Sequence, residues 1–263
     1  MAPGRTAVKA VSALTDVALP RPRGPRLLIY HQVNAGLGRQ MEVGLDDFRR
    51  QLDWLAANRE VVDLDQAITR WSDPGSERLV VLTFDDGYRD TYTTAFPLLR
   101  EQDLPFTLYL ATDSIETGRP LGPPAKAEPL SWDQIGIMFG SGLVTVGAHT
   151  HRHLDLRFLS VDEVEGELGT SDDLIETRLG ARPGHFAYPW GFWSSTADPV
   201  VRRRYTSAAL GGSARPQSRP ERHLLHRYPV QLSDGYRFFG ARLRGGLRLE
   251  EALRRRIKGY TGP

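Results

Sequence analysis

The chain has 263 residues, with 34 Lys+Arg against 32 Asp+Glu, a formal charge of +2 and no Cys. Its 40% hydrophobic and 25% charged residues are the balance of a globular protein, which excludes a wholly disordered or collagen-like chain. The missing Cys excludes disulfides, thiolate nucleophiles and Cys-ligated zinc, and the near-neutral charge gives no field that argues for nucleic acid.

No stretch approaches the roughly 18–20 apolar residues of a membrane span. The apolar run Ala7–Leu19 is broken by Lys9 and Asp16, and no small-x-small cleavage site follows it. The expectation is a chain without a signal peptide, acting in the cytoplasm or at the inner membrane face.

Residues 1–25, rich in Pro, Arg and Gly and without a period, read as a loose lead-in to a single domain over 26–263. Arg26–Tyr30 reads as a buried strand, and Asp46–Asn58 as a helix with Phe48, Leu52 and Leu55 on one face. Val61–Leu64 reads as a short strand, Asp65–Trp71 as a helix and Asp73–Ser76 as a turn. Arg78–Phe84 is the strongest strand signal, followed by a helix over 90–100, a strand over Phe106–Ala111 and a long loop to Pro129. Ser131–Phe139 and Ser160–Leu179 read as helices, each opened by a Ser with Gln134 or Glu163 three residues on. Between and after them come strands at Leu143–Ala148, Phe186–Tyr188, Ser207–Leu210 and Leu224–Val230, with helices at Ala197–Arg204 and Leu249–Lys258. Strands alternating with helices predict right-handed βα units and a parallel sheet, and seven or eight of them suit a barrel.

Three stretches place polar residues just past strands that should be buried, where α/β folds carry their chemistry. Thr83-Phe84-Asp85-Asp86-Gly87 sets two carboxylates side by side, a repulsive pair unless a cation or proton sits between them. For a lone Asp-Asp-Gly, an Asx turn or a cap for the next helix is the commoner explanation. In His149-Thr150-His151-Arg152-His153 the outer two imidazoles are four apart and, on one helical turn, share a face as metal ligands do. Surface histidines are the plain alternative there. One Asp and two His make a 2-His-1-carboxylate set with open positions on a divalent cation, leaving the second Asp as a base. The third stretch is His185-Phe186-Ala187-Tyr188-Pro189-Trp190-Gly191, whose Trp190 amide suits an oxyanion donor, while Trp190 with the nearby Trp193 suits an apolar wall.

In this order the three stretches resemble the polysaccharide deacetylase family, also called the NodB-homology domain or carbohydrate esterase family four. Tyr30-His31-Gln32-Val33 resembles the opening strand of the bacterial branch that carries Phe-Ala-Tyr-Pro-x-Gly. The resemblance runs from about Arg26 to Val230 and implies an α/β fold, a distorted (β/α) barrel of about seven units. It implies hydrolysis of an N-acetyl group on an amino sugar with one divalent metal ion, zinc first, with cobalt, nickel or manganese as alternatives. Carried over by position, Asp85 matches the catalytic base and Asp86, His149 and His153 the metal ligands. Tyr188, Pro189 and Trp190 match the substrate and oxyanion segment.

The departures matter as well. An Arg usual in the third motif is Ala187 here, and the fourth motif has no match near Ala197–Tyr205. Leu224-Leu225-His226 resembles the fifth motif, which makes His226 the candidate general acid. Yet His226-Arg227-Tyr228-Pro229-Val230 also aligns with a Pro-Arg-hydrophobic-Pro-Val strand of that branch, where His226 is structural. His31 ends the first strand and either touches substrate or is a buried, hydrogen-bonded His. The expected partner is an N-acetylated carbohydrate, with no nucleic acid. Two alternatives are a deacylase or deformylase of a lipid-linked sugar, nucleotide sugar or small metabolite, and a non-catalytic carbohydrate-binding barrel. The C-terminal arginines, Arg242 to Arg256, read as a solvated helix face with Glu250–Arg254 and Glu251–Arg255 pairs, ahead of attraction to an anionic membrane or a phosphorylated substrate.

Overall fold

The computed structural model describes residues 3–19, 23–121, 127–212, 220–244 and 246–257. Where a loose lead-in is expected, Pro3–Val17 is instead a helix, α1. Lys9, on the inward side of α1, is fully buried and donates to Asp234 at 2.6 Å and to Glu250 at 2.5 Å. A charged residue on the packed face is what hides the helix from a hydrophobic-period reading.

The barrel strands are β1 (Arg26–Tyr30), β5 (Leu79–Phe84), β6 (Phe106–Leu110), β7 (Val144–Ala148), β8 (His185–Ala187), β9 (Ser207–Gly211) and β10 (Leu225–Pro229). Every pairing is parallel, and β1 closes the ring by pairing with both β10 and β5. Two-residue strands add to this frame: β4 (Glu60–Val61) pairs with β5, while β2 (Gln32–Val33) and β3 (Glu42–Val43) form a separate ribbon. The result is a closed seven-stranded (β/α) barrel.

Helices wrap the barrel: α2 (Leu45–Asn58), α3 (Leu64–Thr69), α4 (Phe96–Glu101), α5 (Thr112–Thr117), α6 (Trp132–Gly140), α7 (Val161–Leu179), α8 (Asp198–Arg204), α9 (Gly235–Arg244) and α10 (Arg248–Ile257). Strands buried on both faces serve two cores. Leu28, Tyr30, Leu82 and Phe84 face outward to the helices. Leu27, Val81, Tyr109, Ala187, Ala209 and Leu225 face inward, and α3 adds Leu64, Ala67 and Ile68 to that inner cluster, stoppering the N-terminal end of the barrel.

The capping boxes predicted at Ser131 with Gln134 and at Ser160 with Glu163 are both formed. Three helices lie where none is expected: α1, α5 inside the long loop, and α9. The reading of the C-terminal arginines as a solvated face holds at Arg244 and Arg256, which are exposed, and is corrected at Arg242, while the Glu251–Arg255 pair involves a side chain outside the described residues. Arg242 is buried and bound to Asp234, and Glu250 pairs with Lys9 and Arg242, leaving Arg254 to Glu251 at 3.1 Å.

Candidate active site

The C-terminal ends of the barrel strands open into a cavity of about 780 Å³, lined by His31, Asp85, Asp86, His149, His153, Trp190 and Arg227 among others. Asp85 and Asp86 follow β5 directly. Backbone pairing of Asp85 N–H to the Tyr30 carbonyl carries the ladder one residue further, and Asp86 then turns at φ 75. Gly87 at φ 81 completes the turn, a conformation that favours glycine.

Asp86 Oδ1 lies 3.4 Å from His149 Nε2 and 3.3 Å from His153 Nε2. The predicted helical turn between the two histidines is absent. The segment is a loop in which Thr150 and His153 are left-handed, at φ 65 and 56, and His153 N–H donates to Thr150 Oγ1 at 3.0 Å. The Thr150 and His151 carbonyls accept from Thr112 and Asp113, and Arg152 is clamped to Glu167. His151 turns away to Thr112. With Trp190 at φ 62, four non-glycine residues around one corner hold a conformation that costs about 1–3 kcal/mol each.

The ligand atoms of Asp86, His149 and His153 all lie within 4.8 Å of one another. Two atoms each about 2.1 Å from a tetrahedral ion stand about 3.4 Å apart, so the Asp–His separations fit a shared divalent cation. Two further observations agree. Asp86 Oδ1 is buried without a hydrogen-bond partner. The His149 Nδ1 is 2.7 Å from the Ala187 carbonyl, which fixes the ring and turns Nε2 to the corner.

Asp85 has a different role. Arg227, buried on β10, binds it with Nη1 at 2.6 Å from Oδ1 and Nη2 at 2.8 Å from Oδ2. Burial pushes this carboxyl up, but Arg227 and His149 overcome it and hold it below the usual carboxylate value. Burial also opposes ionisation of Asp86, and His153 and His149 reverse it. Burial takes His153 down to about 4. His31 is lowered by burial as well, against the pull of Asp86 and Asp85.

Of the predicted site residues, the cavity gathers His31, Asp85, Asp86, His149, His153 and Trp190. Two others face away. His226 alternates with Arg227 on β10; since Arg227 enters the barrel, His226 points outward, and it does not line the cavity. Tyr188 likewise packs into the outer core, its ring edge-on to Phe186 at 5.1 Å. Pro189 is buried behind the turn that presents Trp190, whose ring centroid is 5.2 Å from that of His153. Trp193 bonds Asp198 and packs on the core instead of walling the cavity. Gly191 holds this turn against β9, since a Cβ there would meet Gly211 Cα at 2.4 Å.

The residue that sequence reasoning missed is Arg227. Its signal was the third-motif departure at Ala187: Ala187 and Arg227 both face the barrel interior, on β8 and β10.

A closed parallel barrel with an arginine-paired carboxylate beside an Asp–His–His corner defines a class of barrel in which that corner could hold a metal next to a second, ionised carboxylate. Residues 72–206 match the family model described as polysaccharide deacetylase, and the chain belongs to that family. YxkH of Bacillus subtilis (strain 168), whose name places it in the same family, is 24% identical over 229 residues, covering 84% of this chain and 76% of its own. Among solved structures, IcaB from Ammonifex degensii superposes with a TM-score of 0.69 at 24% identity, over 86% of this chain and 97% of its own. The Streptococcus pyogenes deacetylase PplD superposes with a TM-score of 0.66 at 23% identity, over 81% of this chain and 96% of its own. The family supports an enzyme that removes N-acetyl groups.

Proposed function

We propose that this protein is a metal-dependent hydrolase that removes the N-acetyl group from an amino sugar. The observation that carries the reading is the division of labour at the end of β5: Asp85 is ionised against Arg227, while Asp86 Oδ1 is buried against two imidazole nitrogens. Asp86, His149 and His153 would hold a divalent cation, with zinc the best match to these ligands, and when bound it would lower the pKa of water and polarise the acetamide carbonyl.

Asp85 takes a proton from the attacking water, using lone pairs that its two bonds to Arg227 leave available. The water oxygen bonds to the carbonyl carbon, and the Trp190 amide on the cavity rim donates to the oxyanion. As the C–N bond breaks, the nitrogen takes the proton that Asp85 received from the water, while His31, held toward its neutral form by burial, lines the cavity beside them. The products are acetate and the free amine, so water is the one co-reactant. His226 has no part in this scheme, because its side chain leaves the cavity.

The test is release of amine and acetate from N-acetylated amino-sugar oligomers by the metal-loaded chain. Chelation and Asp85→Asn should each abolish it, the latter with metal retained. Release that persists through both treatments, or no release from any such substrate, would end this reading.

A further inference from the structure

The far end of the cavity is built from parts outside the 72–206 span that defines the family. Helices α1 and α10 lie side by side there and contribute Val8, Leu253 and Ile257 to its wall. Leu253 is 43% exposed and Ile257 85%, an aliphatic surface left open to solvent where it leads into the catalytic corner. Arg5 and Arg254, on the same two helices, and Arg39 line the same cavity. Among the described residues the acids on this side are Glu250, bound by both Lys9 and Arg242, and Glu251, which pairs with Arg254, so the cations outnumber the acids. The local field is therefore positive.

Sugar polymers are held by aromatic faces and dense hydrogen bonding. This end offers aliphatic side chains and guanidinium groups, which suit an alkyl chain and a phosphate respectively. From that juxtaposition we propose that the substrate is an N-acetylated amino sugar joined through phosphate to a lipid chain. The sugar occupies the Asp85–His153 corner, the phosphate meets the arginines, and the chain lies along Val8, Leu253 and Ile257. This rests on the deacetylase reading above.

Three substrates sharing one N-acetylated sugar separate the sources of affinity in the metal-loaded full chain: an unphosphorylated oligomer, a sugar nucleotide with diphosphate and no chain, and the sugar diphosphate of a short isoprenoid alcohol. The isoprenoid compound should show a kcat/KM at least about tenfold above the sugar nucleotide, the gain that two buried methylene groups supply. The sugar nucleotide should in turn exceed the oligomer. Leu253→Asp and Ile257→Asp, at exposed positions that tolerate a polar side chain, should bring the isoprenoid value down to that of the nucleotide. Leu14→Asp, on a 73% exposed residue of α1 that does not line the cavity, should preserve the preference. An oligomer hydrolysed as well as the isoprenoid compound overturns the proposal while leaving the deacetylase reading intact. A preference lost equally in Leu14→Asp overturns it in favour of adsorption at the outer helix face. Amine from none of the three overturns both readings.

Discussion

Arg227 and Asp85 stand 142 residues apart in the chain and meet in a two-pronged, fully buried ion pair, at 2.6 Å and 2.8 Å. The same guanidinium donates to Thr83 Oγ1 and the Leu210 carbonyl, so one side chain ties the first residue past β5 to β9 and β10.

Removing Arg227 exposes both functions of the pair. Arg227→Met leaves a buried carboxylate without its cation, which costs about 3–5 kcal/mol. It also frees Asp85 to rotate and to take up a proton, so kcat should fall at least 100-fold. Arg227→Lys keeps the charge but not the two-pronged geometry, and should fall between the two. Chemical denaturation and turnover measured on the same samples check this. An Arg227→Met enzyme with near-normal kcat would remove Arg227 from the positioning role.

Metal binding should depend on all three corner residues. Asp86→Ala, His149→Ala and His153→Ala should each lose stoichiometric zinc in elemental analysis, whereas His151→Ala and His226→Ala retain it. Metal at 100 times its dissociation constant should raise wild-type stability by about 2.7 kcal/mol, and leave the three ligand variants unmoved. Zinc retained by His149→Ala would contradict the ligand set.

The residues that announce themselves in the sequence are those whose surroundings are local. Strands β1 and β5 are legible because they are apolar on both faces, and α6 and α7 because Ser131–Gln134 and Ser160–Glu163 close their first turns within three residues. Asp86, His149 and His153 were legible as motifs, although the backbone that joins them is a left-handed loop and not the helical turn their spacing suggests. What stayed hidden is non-local. Helices α1 and α9 bury Lys9 and Arg242 against Asp234, so their packed faces carry charges where a hydrophobic pattern expects Leu or Ile. The inward or outward aim of His226 and Arg227 depends on the strand register of β10, which neither residue discloses.

Asp90 gives a pH dependence of known sign. Burial, reinforced by the Glu42 charge, raises its carboxyl from an ordinary 3.8 to about 7, although the Val33 amide donates to it at 2.9 Å. The folded protein thus binds this proton where the unfolded chain has released it. Its contribution is present at low pH and is lost as pH rises through about 4 to 7. Asp90→Asn can keep the Val33 hydrogen bond without the charge. It should flatten the stability profile across that window and melt above wild type at pH 8. Profiles that run parallel would show that Asp90 ionises freely.

Lys9 fastens the N-terminal helix. Its ammonium lies between Asp234 and Glu250, and Arg242 Nη2 reaches the same two carboxylates at 2.8 Å and 3.2 Å. Burial pushes the Asp234 carboxyl up, and Arg242 with Lys9 holds it below its ordinary value. Lys9→Met leaves two carboxylates to one cation, so the loss should approach about 3 kcal/mol, the lower end for breaking a buried pair because Arg242 remains. The stability that Asp234 contributes is present above the ordinary carboxylate value and is lost as pH falls through its depressed folded value. With Lys9 gone that loss should begin at higher pH. Denaturant melts of Lys9→Met and wild type at pH 7 and pH 4 should therefore diverge, with the variant losing more on acidification. Because α1 carries Arg5 and Val8 to the cavity, the same substitution should make residues 3–17 accessible to protease and weaken substrate binding. A variant as stable and protease-resistant as wild type would mean that the remaining contacts of α1 with α9 and α10 hold it without Lys9.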